Sequence, residues 1–246
     1  ARDALLSRWF GAGGLLEAER IDSGPPEFDA EYRRWREEWR GLKLRVQDQP
    51  LQHRGSRPWN SPERRLVGLF HHLYAFHATG WLKGWLEFLV ELDGLRNSEH
   101  LRRAAIERME RIFDTPPSEA WRWRVSFQSA PLKTAARMIG NDRMIVIMAN
   151  AVIPFFLAYA RRRRDRELEK LLYRLFIVLP PEAPNRKTRF MEKRLVLLSR
   201  LPRTLRTQQG LLQIYQDYCT SFESGCHGCK FPGLISASAK GGKIEI

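Results

Sequence analysis

All three cysteines of the chain fall in one short stretch, DYCTSFESGCHGCKFP, as Cys219, Cys226 and Cys229. Cys226-His-Gly-Cys229 forms a CxxC knuckle, whose tight turn can aim two thiolates at one centre. Cys219 precedes it by seven residues. Three thiolates at that spacing suit zinc or an iron–sulfur cluster. A redox CxxC pair and three inert thiols are the competing readings of the same residues. His227 lies inside the knuckle, where its backbone position makes it an awkward fourth ligand to the same ion.

Other constellations carry less chemistry. His71, His72 and His77 fall on one expected helix, but not at the i, i+4 spacing that puts two ligands on one face. Glu87, Glu91 and Asp93 are a carboxylate cluster of the kind that can hold Mg²⁺, and equally of the kind common on helix surfaces. The glycine turn Gly11–Gly14 lacks the fingerprint of a phosphate-binding loop, and no HExxH, GxSxG or GxGxxG occurs. No catalytic constellation is found.

Charge is the second signal. The net charge of +14 is concentrated late in the chain. Residues 1–56 carry 10 basic against 10 acidic residues, residues 57–130 carry 11 against 9, and residues 131–246 carry 21 against 9. Such asymmetry points to a polyanion, either nucleic acid or an anionic membrane. Two features stand out. Arg161, Arg162, Arg163 and Arg164 are consecutive, and a helix C-terminus accounts for one or two cations but not four. From Arg186 to Arg206 there are eight basic residues and one acid. If Asn185 caps a helix, Arg186, Arg189, Lys193 and Arg200 fall in an arc of roughly 60°. A solvated face and a lipid-bound helix are the alternatives. Trp121 and Trp123, interleaved with Arg122 and Arg124, read either as base-stacking platforms or as core.

The elements that must position these residues all read as helices. Asp29 is the expected N-cap of a helix bearing Tyr32, Trp35 and Trp39 on one face. Ser61 with Pro62 opens another helix, interrupted at Gly80. Ser98 is the expected cap of an amphipathic helix through Phe113. The apolar run Met144 to Ala160 is short for a membrane span and contains Asn150 and Pro154, so it reads as a buried central helix kinked at its proline. Leu168, Leu171, Leu172, Leu175 and Leu179 form the next apolar stripe. No stretch alternates with period two. The expected fold class is therefore all-α, a multi-helix globular domain ending in a Cys-rich loop. The expected division is an N-terminal segment over residues 1–56, a main domain over 57–232 and a flexible tail over 233–246. The chain opens without a signal-peptide pattern, and three clustered cysteines do not make a secreted disulfide framework, so a cytoplasmic setting is expected.

Two resemblances sharpen this reading. The C-x6-C-x2-C spacing resembles the first three ligands of the iron–sulfur loop of some DNA glycosylases, whose fourth cysteine would fall at Ile235. That leaves zinc with a histidine, a three-thiolate cluster, or a ligand from another chain. RPWNSPERRL, IGNDR, NAVIPFFLAYA, LPPEAPN and QQGLLQIYQDYC…CHGC, in that order, resemble the C-terminal two-thirds of a bacterial domain-of-unknown-function family over residues 57–232. Members also carry an N-terminal region with motifs like those of restriction-type nucleases. The resemblance implies that the cysteines belong to a family pattern and that any nuclease activity lies outside these residues. The expected function is nucleic-acid binding, DNA or RNA, through phosphate contacts of the basic half, beside a three-cysteine metal site. A protein-interaction subunit that docks another chain or a missing N-terminal region, and a zinc or iron–sulfur enzyme, are the alternatives.

Overall fold

The computed structural model describes residues 2–17, 26–52, 61–113, 119–195, 203–220 and 225–239. Among them every regular element is helical, as the missing period-two pattern requires. The chain divides into two compact units, residues 1–94 with 103–144 and residues 95–102 with 145–246.

The first unit contains α1 (Arg2–Ala12), α2 (Pro26–Gly41), α3 (Pro62–Ala75), α4 (Trp81–Asp93), most of α5 (Ser98–Phe113) and the single turn α6 (Glu119–Arg122). Ser61 caps α3 through a bond from the Arg64 amide, with Pro62 at the first helical position. Gly80 separates α3 from α4 at φ 81°, a left-handed conformation that glycine adopts without strain. Two expected caps move. α2 begins at Pro26, so Asp29 lies inside the helix and pairs with Arg33 one turn on. A proline fits the first turn because its missing N–H has no partner there. At α5 the cap is Asn97, whose Oδ1 accepts from the amides of Glu99 at 2.9 Å and His100 at 3.0 Å. Ser98 is the first helical residue.

The core of this unit is a cluster of rings. Phe127, on the loop after α6, lies 4.8 Å from Tyr32, 4.9 Å from Phe10 and 5.3 Å from Trp121, centroid to centroid. The loop is seated by the first turn of α3. The buried Arg64 guanidinium donates to the carbonyls of Trp121, Arg124, Ala136 and Arg137. Glu63 Oε1 accepts from the Phe127 amide, and Ser61 Oγ donates to the Val125 carbonyl. Burial lowers the Arg64 pKa, yet an arginine remains charged because its ordinary value is so high. Trp121 and Arg124 are each 1% exposed, which places both in the core rather than on a stacking platform. Arg124 lies 4.8 Å from the Phe28 ring centroid and donates to the Ser129 carbonyl.

His72, also buried, stacks on Phe113 at 4.7 Å and accepts from Trp81 Nε1 at 3.2 Å. Burial lowers its pKa to about 4. It is thus a neutral core residue at pH 7.

The second unit includes one long helical run: α7 (Asn141–Ile147, its last residues belonging here), a π-turn (Met148–Val152) and α8 (Ile153–Arg163). Asn141–Arg163 is 23 residues long with a mean hydropathy of 1.7 in its most apolar window, so its length and composition would suffice to cross a membrane. Its apolar residues are not uniformly buried. Met148, Val152, Phe156 and Ala160 are buried at spacings of four, while Phe155 is 48% exposed. The irregularity near Pro154 takes the form of the π-turn ahead of it, where the proline has no N–H to offer the preceding turn. Arg164, at φ 58°, ends α8, and Asp165 caps α9 (Arg166–Val178), which returns along α8 and buries Leu171, Leu172 and Leu175. α10 (Arg186–Arg194), α11 (Leu205–Ile214), a second π-turn (Tyr215–Cys219) and α12 (Phe231–Ala239) complete the unit.

Arg64→Met keeps the apolar stem and strips four carbonyls of their donors. It is expected to cost on the order of 3 kcal/mol or more in urea unfolding, with Arg64→Lys recovering only part. His72 gives the pH dependence. Its folded pKa lies below its unfolded value of about 6.5, so the unfolded chain binds the extra proton between the two. Stability is therefore full above pH 6.5 and falls toward pH 4, by at most about 1.4 kcal/mol per pH unit. Unfolding midpoints measured across that range should flatten in His72→Gln.

Candidate functional site

In the second unit the three cysteines reach one cavity of about 240 Å³. Cys219 ends the second π-turn. Cys226 and Cys229 flank a turn in which the Cys229 amide donates to the Cys226 carbonyl at 3.1 Å. Gly228 lies at φ 78° in this turn, which explains a glycine at the third position of the knuckle. Leu195, Tyr218, Phe231, Pro232 and Ile235 supply the remaining walls, with Arg194 at one side. Ile235, where the resembling iron–sulfur loop would carry its fourth cysteine, thus lines the same cavity. Arg194 lies 5.2 Å from the Phe190 ring centroid and donates to the Gly225 carbonyl, tying α10 to the start of the knuckle.

The thiols differ in environment. Cys219 is buried, Cys229 half-buried and Cys226 exposed. Burial raises the Cys219 thiol pKa, Arg194 pulls it down, and Cys229 and Cys226 add to the rise. Among the described residues no group of three or more His, Cys, Asp or Glu side chains is placed to hold a metal ion. The donor set is soft enough for zinc or an iron–sulfur cluster, but its placement is not a ligand shell. The other candidate ligands are similarly occupied. Glu87 faces Lys83 at 3.8 Å and Glu91 pairs with Arg108 at 2.7 Å. His77 stacks on Tyr74 at 4.4 Å, and the buried His71 packs edge-on against Phe70.

The basic residues separate into two groups. Arg161 donates to Glu169 Oε1 at 2.9 Å, and Arg166 shares that carboxylate at 3.3 Å. These hold α8 to the start of α9. Arg163 lies 5.5 Å from the Tyr159 ring centroid. Arg162 and Arg164 are exposed, with no ion pair among the described residues. On α10 the Asn185 cap is realised as a full capping box with Thr188. Arg186, Arg189 and Lys193 are exposed, while Thr188 and Met191 on the other side are buried. The helix ends at Arg194, and Arg200 lies outside the described residues.

A polar knot lies beside the basic face of α10, in residues that read in the sequence only as motif positions. Asn150 Nδ2 and Gln209 Nε2 each donate to Glu182 Oε1 at 3.0 Å. The neighbouring Gln208, 7% exposed, holds the Glu182 backbone at both ends, accepting from its amide at 2.7 Å and donating to its carbonyl at 3.1 Å. Asn150 is the middle residue of the first π-turn and also donates to the Val146 carbonyl at 3.0 Å. The available signal was a polar residue inside an apolar helical run, four residues ahead of a proline.

Residues 2–185 match the family described as "Protein of unknown function (DUF2851)". The chain belongs to this family. The DUF2851 match takes in the N-terminal 56 residues that the motif comparison left aside, and it includes Asn150 and Glu182. It ends before α10 and before all three cysteines. No curated protein and no solved structure matches the chain.

The packing predicts an order of thiol reactivity. Cys226 should react first with a disulfide-exchange reagent, Cys229 next, and Cys219 only on unfolding, since burial suppresses both access and thiolate formation. Mass-spectrometric mapping of the modified thiols reads this directly. Protection of all three in protein carrying stoichiometric zinc or iron would instead show that the Cys226–Cys229 turn closes on Cys219 around an ion.

Proposed function

We propose that the second unit binds nucleic acid, chiefly through phosphate contacts made by Arg186, Arg189 and Lys193 on α10 and by Arg162 and Arg164 at the turn between α8 and α9. The observation that carries this reading is the exposed basic face of α10. Three cations stand on one side of a short, well-capped helix, with no acid partner among the described residues. Cations placed this close repel one another in water and become favourable when phosphates neutralise them. Arg161 and Arg166 are excluded from the contact set, since Glu169 already engages both. Contacts of this kind fix affinity and position rather than sequence preference.

A fluorescence-anisotropy titration of labelled DNA and RNA, single-stranded and duplex, at several salt concentrations tests the proposal. Affinity should fall linearly in log–log form with salt. The slope should be shallower by about 0.7 to 0.9 for each phosphate contact removed. Replacing Arg186, Arg189 and Lys193 with Gln together should flatten it by about two to three. No binding at low salt, unchanged slopes in the variant, or capture by anionic vesicles in place of nucleic acid would overturn the reading.

A further inference from the structure

The Glu182 knot holds its carboxylate more firmly than a surface staple requires. Gln208 alone, with its two bonds to the Glu182 main chain, already ties the 180–185 segment to α11. The carboxylate is fixed separately. Two amides from different segments, 32 and 27 residues away, converge on the same oxygen, Oε1. A polar network with Asn150 exposed and Glu182 and Gln209 half-buried adds little net stability, whereas a carboxylate held in one orientation is what a recognition site needs. Its position agrees with this. Asn150 is presented from a π-turn, an insertion that recurs at functional sites because it displaces a side chain from the regular helical register.

What the knot leaves unused defines the ligand. Asn150 Nδ2 is spent on Glu182 and on the Val146 carbonyl, and Gln209 Nε2 faces Glu182. Glu182 Oε2, Asn150 Oδ1 and Gln209 Oε1 have no hydrogen-bond partner among the described residues. These three are acceptors, beside one spare N–H on Gln209 Nε2, so the group that matches most of the unused positions is a donor. The basic face of α10 begins four residues after Glu182, and Arg189 donates to the carbonyl of Pro184 at 2.9 Å, which places its guanidinium against the same segment. Acceptor oxygens next to cations match a nucleotide whose phosphate meets the arginines and whose base offers an amino group. Cytosine, adenine and guanine carry one, while uracil and thymine turn a carbonyl to the same place. Base edges are free to make such contacts in unpaired strands.

We propose that Glu182, held by Asn150 and Gln209, accepts a hydrogen bond from the exocyclic amino group of an unpaired base, so that the knot is a base-selecting subsite of the basic surface. The inference rests on the nucleic-acid reading above and adds base preference to it.

Short single-stranded homo-oligonucleotides of cytidine, adenosine and uridine test it by anisotropy at fixed salt. The protein should bind the cytidine and adenosine strands about tenfold more tightly than the uridine strand. Glu182→Gln is the informative variant because it is close to isosteric. Its amide oxygen must still face the Asn150 and Gln209 donors, so its NH₂ takes the place of Oε2 and turns an acceptor into a donor. Uridine should then gain relative to cytidine, with an unchanged thermal melt. Equal affinity for all three strands, or an equal loss for all three in the variant, would overturn the subsite and leave the phosphate reading standing. Failure to bind any strand at low salt would overturn both.

Discussion

A polar main-chain group taken out of water must find a partner. This requirement organises both units, because each contains an irregular segment that its helices cannot satisfy. In the first unit the loop after α6 depends on Arg64, whose fork reaches four carbonyls across residues 121–137. Only with that loop seated can Phe127 occupy the centre of the ring cluster. In the second unit the 180–185 segment depends on Gln208, and Glu182 is positioned as a consequence. One side chain with several donors or acceptors thus does for a loop what a hydrogen-bond ladder does for a helix.

The same accounting sorts the arginines. Arg64 and Arg124 are structural: they are buried, and carbonyls meet their donors. Arg161 and Arg166 neutralise Glu169, and Arg194 ties α10 to the cysteine turn. Within the two basic features, Arg162 and Arg164 at the turn after α8 and Arg186, Arg189 and Lys193 on α10 have no acid partner among the described residues. Net charge by itself does not distinguish a guanidinium facing carbonyls from one facing water.

The helices and most of their faces were legible in the sequence, because a 3.6-residue period needs only nearby residues to be recognised. The Asn185 and Ser61 caps were legible for the same reason. The caps expected at Asp29 and Ser98 are instead helical positions, since α2 starts at Pro26 and Asn97 caps α5. Trp121 read either as a base-stacking platform or as core, and its burial beside Phe127 makes it core. For the cysteines, spacing pointed to one metal centre; all three line one cavity, but they are not placed as a ligand group. Spacing could not forecast that Cys219 would be buried while Cys226 stays exposed, since that depends on how Arg194, Phe231 and Ile235 pack around them.

The sequence by itself determined an all-helical chain, the location of its positive charge and the cluster of its thiols, all of which follow from composition and short-range spacing. Only the tertiary structure decided which charges remain free and that Asn150, Glu182 and Gln209 meet at one carboxylate oxygen. Those residues lie on three segments with no common period. Nothing in local chain geometry relates them, and only the approach of the first π-turn and α11 to the 180–185 segment brings their hydrogen-bonding groups within reach.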